Sequence, residues 1–234
     1  MISYCVTKEA MIAENLRAVR LRIARSCEKC GRPTDAVKLI CVTKEVGLSE
    51  IEEVLASGVK NIGENRVQDA LVKYKAIGDR AIWHLIGHLQ TNKVKDAVGI
   101  STLIHSVDSL RLAEIIDREA KKIGKIQDIL IQVNASGEES KFGISRSEVR
   151  SFFEKAALYP NISISGLMTI APEVDDPEKA RPCFRKLREI RDEINSLKLT
   201  TYSLRLLSMG MTNDFEVAIE EGSDMVRIGR AIFK

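Results

Sequence analysis

The sequence predicts an α/β protein with a single (β/α)8 TIM barrel and an additional N-terminal helix. Short apolar segments alternate with amphipathic segments eight times after residue 34. Most of the short segments are apolar on both faces, as parallel strands covered by helices are. A chain of 234 residues suits eight such units in one closed barrel. We therefore expect one domain over 1–234, with the N-terminal helix and its connector over 1–33 and the barrel over 34–234.

An open, doubly wound sheet is the alternative arrangement of the same alternating elements. Such sheets commonly bind a dinucleotide through a G-x-G-x-x-G motif after the first strand. Here the first strand is followed by "KEVGLSE", which lacks that motif. The closed barrel is therefore favoured.

The predicted elements follow one another in a regular order. Apolar residues at helical spacing predict the N-terminal helix over 7–29. The eight predicted strands are 37–43, 59–63, 81–87, 101–107, 128–134, 162–170, 204–210 and 224–229. The helical segments between and after them are 48–58, 64–78, a short one through 94, 108–124, one from about 145, one from 176, 213–222 and the terminal 230–234.

Two helix starts carry sequence signals. We expect Asp108 to cap the helix over 108–124, because a short acidic side chain can accept from the first free N–H groups. Asp176 as a cap and Pro177 in the first turn predict the start of a long helix. The expected core face of that helix is Leu187, Ile190, Ile194 and Leu197.

The composition is that of a globular protein without special partners. The chain is 44% hydrophobic and 29% charged, and its net charge of +3 is close to balance, so we expect no nucleic acid as a partner. No run of 18 apolar residues is present, so no membrane association is expected. Five scattered cysteines and an N-terminus unlike a secretory signal indicate a cytoplasmic protein.

Two pairs of residues have spacings that metal ligands also use. Cys27 and Cys30 form a C-x-x-C, but no second ligand pair is visible, and two free thiols near a helix end are the simpler interpretation. His84 and His88 are four residues apart, but they straddle a strand end and Gly87 rather than one helix face. We therefore expect no metal site.

The ends of the last two predicted strands carry groups that bind phosphate. Binding residues of (β/α)8 barrels follow the C-terminal ends of the strands, and the loops after strands seven and eight often hold phosphate. At the end of the eighth strand, Arg227 supplies positive charge and Gly229 permits close approach of the backbone. At the end of the seventh strand, backbone N–H groups and hydroxyls precede a helix in the turn Ser208, Met209, Gly210, Met211 and Thr212. Together the two motifs predict a phosphorylated ligand.

Lys44 follows the first strand, in "KLICVTKEVG". A neutral amine at this position can attack a carbonyl and form a Schiff base, and burial beside other cations favours the neutral form. A phosphate-bearing aldehyde held opposite this amine indicates pyridoxal 5′-phosphate (PLP). The alternative is a lysine that merely extends from a strand end into solvent.

Seven motifs occur in an order that resembles the pyridoxal phosphate homeostasis protein family. They are "VTKEV", "IGENRVQ", "WHLIGHLQTNK", "VNASGEESKFG", "GLMTI", "LSMGMTNDF" and "VRIGRAIF", and they span nearly the whole chain from about residue 37. That family is a PLP-binding barrel similar to the N-terminal domain of alanine racemase. One departure is Arg230, which stands where the family often has a small hydroxyl residue.

The resemblance implies a set of cofactor-binding residues. Lys44 corresponds to the lysine that holds PLP. The turn 208–212 and the Arg-Ile-Gly ending at Gly229 correspond to the phosphate site, although Arg227 could instead meet the pyridine nitrogen. Asn65, His84 and Met168 match motifs expected to line the pocket.

The expected function is to hold PLP as a Schiff base and to take part in its intracellular homeostasis or delivery to PLP-dependent apoenzymes, as a monomer. Racemisation needs acid–base groups on both faces of the substrate. In alanine racemases a tyrosine from a second domain serves one face, and we expect no such domain here because the eighth strand ends near residue 229. The tyrosines of this chain are predicted away from the strand ends: Tyr4, Tyr74, Tyr159 and Tyr202. A small PLP-dependent racemase and a Schiff-base aldolase for sugar phosphates remain the alternatives.

Overall fold

The computed structural model describes residues 8–138, 141–198 and 203–234, and within them eight parallel strands close into a barrel in the order β1 to β8. Each strand pairs with the next along the chain, and β8 pairs with β1. The strands are β1 (Lys38–Val42), β2 (Asn61–Glu64), β3 (Ile82–Leu85), β4 (Leu103–Val107), β5 (Gln127–Gln132), β6 (Ile162–Met168), β7 (Leu206–Ser208) and β8 (Met225–Ile228). The predicted TIM barrel is confirmed.

An α-helix precedes the barrel, and helices cover its outer surface between the strands. In the described ranges they are α1 (Lys8–Lys29), α2 (Leu48–Ala56), α3 (Val67–Ile77), α4 (Val94–Ile100), α5 (Leu110–Lys122), α6 (Arg146–Ala156), α7 (Arg181–Ser196), α8 (Phe215–Glu220) and α9 (Arg230–Phe233). None of these helices is both long enough and apolar enough to cross a membrane.

Three details differ from the sequence prediction. The strands are shorter than their apolar runs, because backbone pairing covers only part of each run. Ser109, and not Asp108, caps α5, since its hydroxyl accepts from Leu112 N–H at 3.3 Å. Leu197 is 38% exposed, because α7 ends at Ser196 and the chain turns away from the core there.

The barrel lumen is packed rather than open. One cluster of buried side chains draws a residue from each of five strands: Ile40, Leu103, Leu130, Met168 and Met225. Residues of five different strands can meet only on the axis of the barrel. Neighbouring strand residues such as Cys41 and Ile104 instead pack outward against the helices. This alternation decides which side chains at the strand ends face the lumen.

The helix α1 covers the junction between the first and last strands. Its buried face packs with residues of α2, α8, α9, β1 and β8 in one apolar cluster. The terminal helix α9 has only four residues, so α1 supplies most of the cover here. Arg22 of α1 adds two hydrogen bonds to Glu216 and lies 4.5 Å above the ring of Phe215.

We expect α1 to be a required part of the folded barrel. Leu16 is 1% exposed, so Leu16→Ala should lower the free energy of unfolding by about 2–5 kcal/mol, through lost apolar burial and a residual cavity. The matched control is Leu21→Ala on the same helix, because Leu21 is 51% exposed and should change the value by less than about 0.5 kcal/mol. Urea unfolding measures both, and equal effects of the two variants would contradict the assignment.

Candidate functional site

A chain of hydrogen bonds crosses the barrel lumen and joins five strands. His84 Nε2 lies 3.0 Å from Asn61 Oδ1, and His84 Nδ1 lies 3.0 Å from His105 Nε2. His105 Nδ1 lies 2.9 Å from the hydroxyl of Ser208, and that hydroxyl accepts a 2.6 Å bond from Arg227. The chain therefore runs from β2 through β3, β4 and β7 to β8.

The donors and acceptors of this chain fix one direction for its protons. Asn61 Oδ1 can only accept, so His84 carries its proton on Nε2. The neutral ring then accepts at Nδ1 from His105 Nε2–H, and His105 Nδ1 accepts from the hydroxyl of Ser208. That hydroxyl in turn accepts from the guanidinium of Arg227, which can only donate. Every donor in the chain thus meets an acceptor.

Burial keeps both imidazoles neutral. Desolvation, with a smaller contribution from Lys38, lowers the pKa of His84 from 6.5 to about 4. Desolvation also holds the pKa of His105 well below 6.5, and the neighbouring His84 and Arg227 add to that effect. Protonating either ring would remove one hydrogen bond of this chain, since an imidazolium has no acceptor nitrogen.

Arg227 is the charged end of the chain and is only 4% exposed. Besides Ser208, it donates to the carbonyl oxygen of Thr169 at 2.9 Å, so it links β8 to β7 and to the end of β6. Burial lowers the pKa of Arg227 from its usual range to about 10, and the carboxylate of Asp214 opposes that shift. Arg227 is therefore still a cation at neutral pH, and among the described residues it forms no salt bridge with a carboxylate.

The turn after β7 is tightly built. Met209 is fully buried, and its N–H donates to Met225 O at 3.1 Å. Gly210 has φ +93°, and a Cβ there would collide with Ala218 and Phe215, so only glycine fits. Met211 is 36% exposed, and its N–H donates to Asp214 Oδ1 at 2.6 Å. Thr212 is half-buried beside it.

The N–H of Met211 is therefore already bonded, which reduces what this turn can offer to an anion. Burial raises the pKa of Asp214, whereas the Met211 N–H and the charge of Arg227 oppose the rise. The first turn of α9 adds further N–H groups after β8. Ile232 and Phe233 both donate to Gly229 O, whereas the N–H groups of Arg230 and Ala231 have no acceptor within the helix.

Lys44 lies beside that first turn, in a cleft of about 170 Å³ that Gly229 and Arg230 also line. A Cβ at Gly229 would lie 3.0 Å from Val42 O, so a side chain at position 229 would crowd β1. The amine is exposed rather than buried as expected, because β1 ends at Val42 and the chain turns at Lys44 and Glu45. Closure of the barrel thus brings the predicted lysine and part of the predicted phosphate site together.

Asn65 lies in a second, larger cleft of about 500 Å³ at the loops after β2 and β3. His88 lines the same cleft, stacks on Phe142 with ring centroids 4.5 Å apart, and lies 3.4 Å from Asp108. His84 and His88 therefore belong to different places, one in the lumen and one at the surface. Within the described ranges no group of three His, Cys, Asp or Glu could hold a metal ion.

The predicted pocket residues differ in burial. Lys44 is exposed and lines the same cleft as Gly229, whereas Ser208 and Arg227 are buried. Met168 is fully buried in the lumen, where it pairs in register with Ser208. His84 is also buried, and His105 connects it to Ser208. The roles of these residues and of Asn65 toward a ligand stay predictions.

The sequence prediction did not assign His105 or Asn61 to the site. The available signal was a polar residue within an apolar strand, as in "STLIHSV" and "VKNIG", but that signal does not name a partner. Of the tyrosines in the described ranges, Tyr74 of α3 donates to Asp79 just beyond that helix, and Tyr159 follows α6. Tyr4 and Tyr202 lie outside the described residues.

Comparison with known proteins first defines the class. Residues 14–234 match the family described as "Alanine racemase, N-terminal domain". The crystal structure of alanine racemase from Corynebacterium glutamicum superposes with a TM-score of 0.73 at 14% identity, covering 96% of this chain and 60% of that one. This similarity shows a common fold, so the chain is a barrel of the alanine racemase N-terminal type.

More similar relatives define the family. The "Pyridoxal phosphate homeostasis protein" of Aquifex aeolicus is 47% identical over 221 residues, which is 94% of this chain and 96% of that protein. The structure of PipY from Synechococcus elongatus with PLP bound has a TM-score of 0.83 at 32% identity, covering 95% of this chain and all of that one. The chain belongs to the pyridoxal phosphate homeostasis protein family, as its seven motifs predicted.

The hydrogen-bond chain from Asn61 to Arg227 predicts a specific dependence of the protein's stability on pH. Because the pKa of His84 falls from 6.5 to about 4 on folding, the unfolded state binds more protons between these values. The contribution of neutral His84 to the free energy of unfolding is fully present above about pH 6.5. It is lost as the pH falls toward 4, which lowers the free energy of unfolding by about 3 kcal/mol. Urea unfolding at several pH values should therefore show a shallower decline for His84→Gln than for the wild type.

The matched control for this measurement is His88→Gln, because the His88 side chain is 43% exposed and lies outside the lumen chain. It should follow the wild-type profile. A His84→Gln profile parallel to the wild type over this range would refute the assignment of a neutral, buried His84.

Proposed function

We propose that the protein binds PLP at the C-terminal mouth of the barrel, holds it as a Schiff base with Lys44, and serves its storage or delivery in the cytoplasm as a monomer. The observation that carries the proposal is the cleft shared by Lys44 and Gly229, because Gly229 follows the buried cation Arg227 by two residues at the end of β8. The free thiols of Cys27, Cys30, Cys41 and Cys183 agree with a reducing compartment.

The groups around this cleft fit the chemistry of PLP. The cofactor supplies an aldehyde, a phosphate dianion and an electron-accepting pyridine ring. The amine of Lys44 suits the aldehyde, and the leading N–H groups of α9 suit an oxyanion. The guanidinium of Arg227, buried without a carboxylate partner among the described residues, suits an acceptor atom.

Lys44 acts as the nucleophile in its neutral form. Its nitrogen attacks the aldehyde carbon, the C=O bond breaks as the C=N bond forms, and the oxygen leaves as water with the two protons of the amine. The exposed position of Lys44 leaves room for that water to depart and for an acceptor amine to approach. An accessible linkage of this kind suits a protein that releases its ligand.

We infer further that Arg227 meets the pyridine nitrogen rather than the phosphate. Its guanidinium reaches inward to Thr169 O at the end of β6, across the mouth from the first turn of α9. An arginine donating to this nitrogen keeps it unprotonated, and an unprotonated ring is a weaker electron sink. His105 and Ser208 hold the guanidinium in place, and His84 acts through them.

Lys44→Ala should abolish the Schiff-base absorbance of the protein after incubation with PLP. Lys44→Arg should abolish it too, because a guanidinium keeps the charge but does not condense with the aldehyde. Absorbance after reconstitution, with borohydride reduction and peptide mass measurement, locates the adduct. The control is Lys60→Ala, since Lys60 is exposed just before β2, at the opposite end of the barrel.

Two results would contradict this proposal. One is an adduct of unchanged yield in Lys44→Ala. The other is a wild-type adduct that forms from sugar phosphates but not from PLP, which would indicate a Schiff-base aldolase.

The PLP-loaded protein should not racemise amino acids. Racemisation needs an acid–base group on each face of the substrate, and neither Tyr74 nor Tyr159 lies at a strand end. Chiral chromatography of L-alanine and other L-amino acids after incubation with the loaded protein measures this. Formation of D-isomers above the level given by free PLP would support a racemase instead.

A further inference from the structure

A buried ion pair lies behind the strand end that carries Lys44. Glu64, the last residue of β2, is 1% exposed, and its Oε1 accepts from Lys73 Nζ at 2.7 Å. Lys73 comes from α3 and is 9% exposed. The same Oε1 accepts from the hydroxyl of Thr43 at 2.5 Å, and Lys73 Nζ also donates to Thr43 O at 2.6 Å. The pair thus holds the residue next to Lys44 from two sides.

Every polar group of Thr43 is bonded in this way. Its N–H donates to Gly63 O at 3.0 Å, and its hydroxyl donates to Glu64. Its carbonyl accepts both from Lys73 and from Val46 N–H, the latter at 3.1 Å. Thr43 itself is fully buried. The backbone immediately before Lys44 is therefore fixed to β2 and to α3.

The backbone immediately after Lys44 is strained. Glu45 has φ +63°, a conformation that costs a residue with a side chain about 1 kcal/mol or more. A strained turn persists only where its surroundings hold it. Here the bond from Val46 N–H to Thr43 O closes the turn, and the bonds to Glu64 and Lys73 hold its first residue. Lys44 is thus an exposed side chain on a fixed backbone.

We propose that Glu64 and Lys73, acting through Thr43, are positioning residues that hold the backbone of Lys44 in the geometry required for its condensation with an aldehyde. This inference rests on the proposed function of Lys44. An exposed lysine side chain has many rotamers, so a fixed Cα is the means by which the fold limits where the amine can reach. Reaction rates of held groups depend steeply on such limits.

The charges of the pair serve this role better than a neutral hydrogen bond would. Hydrogen bonds to ionised groups are shorter and stronger than those between neutral groups, and one carboxylate oxygen here binds two donors. The other oxygen, Glu64 Oε2, is buried without a hydrogen-bond partner in the part of the chain that the structure describes. Stability alone does not explain such a pair, because apolar residues of similar volume are often as stable.

Thr43→Val tests the proposal, because it removes the hydroxyl with little change of shape. In the absence of PLP, we expect the amides of segment 44–46 to exchange hydrogen about tenfold faster than in the wild type, since the turn loses one of its anchors. With PLP, we expect the rate constant of Schiff-base formation at Lys44 to fall about tenfold. The dissociation constant of pyridoxine 5′-phosphate, which lacks the aldehyde, should change less than twofold.

Thr43→Ser is the matched variant, because it keeps the hydroxyl and should restore both the exchange rate and the condensation rate. A wild-type condensation rate in Thr43→Val, or an equal loss in Thr43→Ser, would overturn the positioning role. Parallel loss of pyridoxine 5′-phosphate binding would also overturn it, since it would indicate a general structural defect. A wild-type protein that forms no adduct at Lys44 would overturn the proposed function and this inference with it.

Discussion

Closure of the barrel between its first and last strands is the constraint on which the rest of the structure depends. The pairing of β1 with β8 brings Lys44 next to Gly229, although the two residues are far apart in the sequence. An open sheet made from the same strands would leave them at opposite edges. The helix α1 seals this junction with an apolar face that the short α9 could not supply. The N-terminal helix therefore contributes to the site without touching it.

The lumen shows how the barrel accommodates polar groups that its packing alone would exclude. Two imidazoles and one guanidinium are buried there, and each would cost several kcal/mol if left without partners. The hydrogen-bond chain from Asn61 to Arg227 satisfies them in series, so the cost falls mainly on the charge of Arg227. A cation placed in this way stabilises the barrel little by itself. Its proposed role is to donate to an acceptor atom of the ligand.

The two parts of the proposed site differ in burial. The cation and its supports are buried, whereas the amine of Lys44 is exposed at a strained turn. A rigid floor suits recognition of a flat ring, because preorganised donors lose little entropy on binding. An exposed amine on a fixed backbone suits a linkage that must form and also break. Under the proposed function, this combination agrees with a carrier better than with a racemase, which needs acid–base groups on both faces of its substrate.

The sequence by itself determined the barrel, the N-terminal helix and the membership of the family, because these depend on local periodicity and on ordered motifs. It also predicted Lys44, Ser208, Arg227 and Gly229 as binding residues from their positions at strand ends, and these roles stay predictions. Only the tertiary structure decided which side chains meet. The pairing of His84 with His105, the buried contact of Glu64 with Lys73 and the exposure of Lys44 depend on strand stagger, on closure and on where each strand stops. A linear pattern does not record these quantities, because they arise when distant segments pack together.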